Sequence, residues 1–114
     1  MSPITTHILD VSRGKPAAGV HVALARRDEE TQFADVAHGV TDADGRVRDL
    51  LKDGEAIRPG VYRLTFLTGA YYAQTGVEGF YPEVVIMFEI REATEHYHVP
   101  LLLSPFGYST YRGS

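Results

Sequence analysis

Glu95-His96-Tyr97-His98-Val99-Pro100-Leu101-Leu102-Leu103 is the stretch whose pattern decides the fold. Side chains along a β-strand point alternately to the two faces of a sheet. Tyr97, Val99, Leu101 and Leu103 therefore share one face, and His96, His98, Pro100 and Leu102 the other. The first is a core face. The second mixes imidazole with proline and leucine, so something is expected to cover it, and in a chain of 114 residues the economical cover is another subunit. Pro100 has no N–H to donate to a ladder and marks an edge, a bulge or a point where pairing is interrupted.

Working outward from this strand, short β-prone runs separated by turn residues dominate the chain. Ile4 to Leu9 is a strand candidate, followed by a loop from Asp10 to Gly19. Val20 to Ala25 alternates Val20, Val22 and Leu24 against His21, Ala23 and Ala25, the pattern of a half-buried strand. Phe33 to Val40 is another candidate. Thr41-Asp42-Ala43-Asp44-Gly45 is a turn whose Asp-Gly suits positive φ, and Arg46 leaves it directly. Val61 to Thr68 is rich in β-branched and aromatic residues, and Gly69 is expected to break it. Ala70 to Thr75 has room for about two helical turns between Gly69 and Gly76. Pro82 then opens a strand from Glu83 to Arg91, and Tyr97 to Leu103 and Gly107 to Arg112 complete the set. Seven or eight strands with one short helix predict an all-β, two-layer sandwich in a single domain spanning residues 1–114.

Composition narrows the function classes. Apolar residues make up 44% and charged residues 23%, with a net charge of -4 and no basic stripe, which argues against a general nucleic-acid partner. Without cysteine there is no disulfide, thiolate metal site or thiol nucleophile. The longest apolar runs, Val84 to Phe88 and Val99 to Leu103, fall far short of the ~20 residues that span a bilayer. With neither a secretory pattern at Met1 to His7 nor a peroxisomal address at the end, the expectation is a cytoplasmic protein with no membrane partner.

Candidate chemistry centres on histidine, which exchanges protons near neutral pH. Five are present; His21 and His38 have no motif around them and are expected to be structural or surface residues. His96-Tyr97-His98 presents two imidazoles on one face, a spacing compatible with metal ligation, but no carboxylate-rich cluster or His-Glu-X-X-His helix accompanies it, and no metal is expected. There is no nucleophile elbow, phosphate loop or dinucleotide fingerprint, which leaves water as the nucleophile. Asp42 and Asp44 are explained by turn formation before Gly45. The strand-prone Tyr108-Ser109-Thr110-Tyr111 is expected to hold Arg112 in a fixed place, so that Tyr111-Arg112-Gly113-Ser114 forms the last wall of an active site.

Two segments carry a family pattern: His7-Ile8-Leu9-Asp10 with Gly14-Lys15-Pro16-Ala17, and Tyr97-His98-Val99-Pro100-Leu101-Leu102-Leu103-Ser104-Pro105-Phe106-Gly107-Tyr108-Ser109. They resemble the transthyretin superfamily over essentially the whole chain, and the terminal Tyr111-Arg112-Gly113-Ser114 resembles the hallmark of its 5-hydroxyisourate hydrolases. Where the hormone carriers of that superfamily have lysine, an acidic residue and threonine, this chain has His7, Arg46 and His98, as the hydrolases do. The resemblance implies a sandwich of two four-stranded sheets with one short helix, assembled as a homotetramer with active sites at the dimer–dimer interface. It also implies cofactor-independent opening of the six-membered ring of 5-hydroxyisourate to 2-oxo-4-hydroxy-4-carboxy-5-ureidoimidazoline in urate degradation. His7, Arg46 and His98 would be catalytic, and His7, Arg46, Tyr111, Arg112 and Ser114 would bind the purine-derived substrate. The two histidines would share the proton handling, one as general base and the other as its orienter or as proton donor. Arg46 would stabilise developing charge. The alternatives are a non-catalytic small-ligand carrier of the same fold and a metal-dependent hydrolase.

Overall fold

A computed structural model describes residues 2–114. In chain order the elements are β1 (Ile4–Asp10), β2 (Lys15–Pro16), β3 (His21–Arg27), β4 (Phe33–Val40), β5 (Gly60–Phe66), α1 (Thr68–Thr75), β6 (Val84–Ile90), β7 (Tyr97–Ser104) and β8 (Gly107–Thr110). The strands form two sheets of four, ordered β2-β1-β7-β8 and β4-β3-β5-β6. This is the β-sandwich with one short helix that the strand pattern predicts.

The alternation of apolar residues dictates which faces meet. Ile4 and Ile8 from β1, and Leu101 and Leu103 from β7, pack against Val22, Leu24, Leu64, Phe66 and Val84 of the other sheet, all essentially inaccessible to water. A fully buried side chain of this kind contributes about 1.5–3 kcal/mol. Burying one face of a strand fixes its register, because a slip of one residue would turn the core face outward. In the register adopted, β1 runs parallel to β7, pairing Thr5 with His98 and His7 with Pro100. Thus Thr5, His7 and Leu9 share the outer face with His98 and Leu102.

Three details differ from the sequence reading. The loop from Asp10 to Gly19 contains the short strand β2, tied to the end of β1 through Leu9–Pro16 and Asp10–Lys15 pairs. The helix starts at Thr68, so Gly69 lies inside its first turn instead of bounding it. The Gly69 N–H donates to the Pro82 carbonyl at 2.9 Å, and a Cβ on Gly69 would lie 2.8 Å from that oxygen. Glycine is required there for close backbone approach, while Gly76 (φ 71°) ends the helix in the left-handed conformation as expected. The last strand ends at Thr110, two residues early.

The cause of that early end is Pro100. The tail continues in the β8 register, with His98 and Gly113 bridged, but the ladder is broken between this bridge and the Leu101–Thr110 pair. Pro100 has no N–H to donate, and its carbonyl accepts the Thr110 hydroxyl at 2.7 Å. Pro100 therefore interrupts pairing from within an inner strand.

Candidate active site

The Asp42–Gly45 turn delivers the first site residue. Asp42 Oδ1 accepts the Asp44 amide at 2.9 Å and the Arg46 amide at 3.1 Å, closing the turn on itself. The Arg46 amide above all, with the Asp44 amide and Arg48 adding to it, holds the Asp42 carboxyl below the usual carboxylate range. Gly45 has φ +77°, and a Cβ there would lie 2.5 Å from the Ile8 carbonyl. Its own carbonyl accepts the Ile8 amide at 2.8 Å. Only a glycine turn rides this close over β1, and it sets Arg46 beside His7, to which it is bridged.

Four neighbouring segments consequently line up on the outer face of the first sheet: Arg46, then β1 with Thr5 and His7, then β7 with His96 and His98, then the tail. A cavity of ≈ 360 Å³ opens over them, lined by Thr5, Arg46, His96, His98 and Ser114 among others. His7 is not among the lining residues but is bridged to Arg46, which is. Arg48 also lines the cavity, but its guanidinium is occupied by Asp42 and Asp44, each at 2.8 Å, whereas Arg46 makes no ion pair among the described residues. Among the described residues the free positive charge in the cavity is thus Arg46.

His98 is the most constrained of the group. Its Nδ1 lies 2.8 Å from Thr5 Oγ1, and its ring lies against Gly113, where a Cβ would meet His98 Cδ2 at 2.5 Å. Partial burial lowers its pKa, and the positive charge of Arg46 and the neighbouring His96 and His7 push the same way. The neutral imidazole, the form that accepts a proton, is favoured.

The tail divides between the two faces. Gly113 is bridged to His98 and Ser114 lines the cavity, while by the register of that bridge Arg112 stands opposite Val99, on the inner side. There the Arg112 guanidinium lies 4.4 Å over the Tyr97 ring and donates to Glu95 at 2.9 Å and to the His96 carbonyl at 3.3 Å. Within one protomer Arg112 therefore ties the tail to the start of β7 and does not line the His98 cavity. Tyr111 lies outside that cavity too, 58% exposed. Of the residues singled out from the sequence, the structure gathers His7, Arg46, His98 and Ser114, and leaves Tyr111 and Arg112 apart from them.

One residue of the site escapes the sequence reading, Thr5 as a partner of His98; His96 is read there on the same face as His98 but given no part in the site. The signal for Thr5 was present, because Ile4, Thr6 and Ile8 on the core face force Thr5 and His7 onto the other. His21 is exposed, and His38 lies 3.7 Å from the exposed Asp35, both away from the site. Among the described residues no three His, Cys, Asp or Glu side chains are grouped to hold a metal ion.

Residues 4–113 match the model of the HIUase/Transthyretin family. The chain belongs to that family. A 5-hydroxyisourate hydrolase of Caulobacter vibrioides is 51% identical over the whole of both chains. A probable 5-hydroxyisourate hydrolase of Caenorhabditis elegans is 48% identical, covering 97% of this chain and 81% of the relative. Among solved structures, the 5-hydroxyisourate hydrolase of Klebsiella pneumoniae superposes with a TM-score of 0.83 at 41% identity, covering 97% of this chain and 98% of that one. Sea bream transthyretin, solved with thyroxine, superposes with a TM-score of 0.91 at 34% identity, covering 97% and 94%. Hydrolase and hormone-binding members share one backbone, so within the HIUase/Transthyretin family the side chains of the site carry the functional distinction.

Proposed function

We propose that this protein is an enzyme that hydrolyses 5-hydroxyisourate to 2-oxo-4-hydroxy-4-carboxy-5-ureidoimidazoline in urate degradation, with water as nucleophile and no cofactor. The observation that carries this reading is the placement of two imidazoles and a guanidinium, without an ion-pair partner among the described residues, side by side on one sheet face, beside a cavity of small-molecule size. A carrier of apolar ligands has no use for that arrangement. Its relatives named as 5-hydroxyisourate hydrolases support the same conclusion.

Opening a ring amide requires a deprotonated water, stabilisation of the oxyanion and a proton for the departing nitrogen. Neutral His98 takes the proton from water through Nε2, the nitrogen left free by the Thr5 contact. The Arg46 guanidinium directs its planar donors at the oxyanion. His7, adjoining Arg46, orients the water or returns a proton to the leaving nitrogen, and Ser114 contacts the heterocycle from the tail. Tyr111 and Arg112 complete substrate binding indirectly, Arg112 by anchoring the tail that carries Ser114.

The active assembly in this reading is a cytoplasmic homotetramer with sites at the dimer–dimer interface. The edge strands β6 and β8 expose Val85, Met87 and Tyr108, an apolar rim suited to pairing with a second copy. No helix among the described residues is long and apolar enough to cross a membrane. Light scattering of the purified protein tests the assembly; a monomer at micromolar concentration would overturn it.

The decisive experiment follows the ultraviolet spectrum of freshly oxidised urate. The protein should speed the decay of the unstable intermediate, with a rate unaffected by chelators. A carrier would leave the decay unchanged.

A further inference from the structure

Thr5 Oγ1 lies 2.8 Å from His98 Nδ1 and 3.0 Å from His96 Nε2. The two rings are nearly parallel, 16° apart with centroids separated by 6.5 Å. One hydroxyl thus bridges the edges of two imidazoles that β7 presents on the same face. A hydroxyl has one proton to donate and lone pairs to accept with, so it can serve both rings at once, accepting from one and donating to the other. The tautomers of His96 and His98 are tied together through it.

His96 has a further property that His98 lacks. It lines the active-site cavity and also a second, more open cavity of ≈ 340 Å³, bordered by Ser2, Gly54, Glu55, Thr94 and Glu95. Its ring stands between the site and a solvent-accessible hollow edged by two carboxylates. Its backbone is held in place, since the His96 carbonyl accepts a hydrogen bond from Arg112, itself anchored on Glu95 and the Tyr97 ring.

We propose that Thr5 and His96 form a proton relay that recharges His98, carrying its proton from the buried side of the site to the outer cavity. The proposal rests on the hydrolase reading of His98. At the start, His98 carries its proton on Nδ1 and donates to Thr5, whose hydroxyl donates to His96 Nε2. When His98 Nε2 takes a proton from water, an O–H bond of water breaks and an Nε2–H bond forms, and the resulting hydroxide adds to the ring carbonyl carbon. The Nδ1–H bond then breaks as Thr5 Oγ1 gains that proton, and the original Thr5 proton moves to His96 Nε2. One proton enters His98 and one leaves, so His98 ends neutral in its other tautomer and His96 ends as the cation. His96 releases its Nδ1 proton to water in the outer cavity. When His98 Nε2 gives its proton to the departing ring nitrogen, Nδ1 takes one back from Thr5, Thr5 takes one from His96 Nε2, and His96 Nδ1 regains one from that water, so all three groups return to their starting state. No electron changes hands. Thr5 and His96 are positioning residues in this scheme, acting only through His98.

Thr5→Val keeps the shape of the side chain and removes the hydroxyl, while Thr5→Ser keeps the hydroxyl. The relay predicts that Thr5→Val lowers kcat by about 10-fold or more with KM changed less than about two-fold, and that Thr5→Ser restores most of the rate. His96→Gln should show a similar loss in kcat that added imidazole rescues. Nitrogen-15 NMR of the histidine rings supplies a readout independent of turnover: wild-type His98 should hold its proton on Nδ1, and Thr5→Val should shift the ring towards the Nε2–H tautomer. Wild-type rates in Thr5→Val or in His96→Gln would overturn the relay, as would equal losses in Thr5→Val and Thr5→Ser. If the wild-type protein fails to accelerate 5-hydroxyisourate decay, the hydrolase reading falls on its own. An unchanged His98 tautomer in Thr5→Val removes the hydrogen-bonded bridge whatever the activity.

Discussion

The two faces of the β2-β1-β7-β8 sheet are made by the same strands, yet they follow opposite rules. On the inner face Ile4, Ile8, Leu101 and Leu103 are interchangeable in kind, apolar and close-packed, and each tolerates a similar replacement at modest cost. On the outer face Thr5, His7 and His98 alternate with them, and the hydrogen bond between Thr5 and His98 is a contact that no apolar isostere reproduces. The pleat keeps these two sets a few ångströms apart without mixing them. Stability and chemistry can therefore be altered separately in a single strand.

The sharpest way to break this separation is at His98. His98→Ala should lower turnover by on the order of 10²-fold or more while thermal unfolding shifts by only a few degrees, and steady-state kinetics beside calorimetry would show both. A matching loss of stability would mean that the faces are not independent. On the inner face, Leu101→Ala should destabilise folding by roughly 2–5 kcal/mol in urea titration yet leave turnover per folded molecule close to normal. Deleting residues 111–114 combines the two cases: activity should disappear while the urea midpoint stays near that of the intact chain, because the Arg112–Glu95 ion pair is exposed on both sides and worth little to folding.

A smaller effect is expected where tail and base touch. Gly113→Ala places a methyl group 2.5 Å from His98 Cδ2, so the ring must turn away, and kcat should fall about 10-fold with folding retained. Unchanged kcat would show that the ring has room to move. The smallest is a displacement in pH dependence. Burial first, then Arg46, lower the His98 pKa from its ordinary 6.5, so the acid limb of kcat/KM should fall below that pH. Folding stability runs the same way: below about pH 6.5 the unfolded chain binds a proton that folded His98 resists, so stability declines as the pH falls through that window. An acid limb above 6.5 would contradict the placement of Arg46 beside the imidazoles.

How much of this was legible in the sequence follows from the range of each interaction. Alternation in Tyr97 to Leu103 is local, and it gave the strand and its two faces correctly; of the three readings of Pro100 the structure selects interrupted pairing. The Asp-Gly turn is local too, and Asp42 closing on Arg46 follows from it. Gly69 was misread because its partner, Pro82, is distant in sequence and becomes visible only when the backbones meet. The same holds for Arg112: its direction depends on the Gly113–His98 bridge, whose register no stretch of the tail contains. Thr5 is an intermediate case. Its face follows from neighbouring isoleucines, but its bond to His98 needs the parallel pairing of β1 with β7.

That parallel pairing has a consequence for the order of assembly. The hydroxyl and imidazoles that meet at the site are separated by 91 and 93 positions along the chain. Closing a loop of that size carries an entropic penalty on the order of 4 kcal/mol, recovered only when the sheet docks on its partner. A chain in which β7 has not yet paired with β1 has no reactive centre. Catalytic competence waits on that pairing.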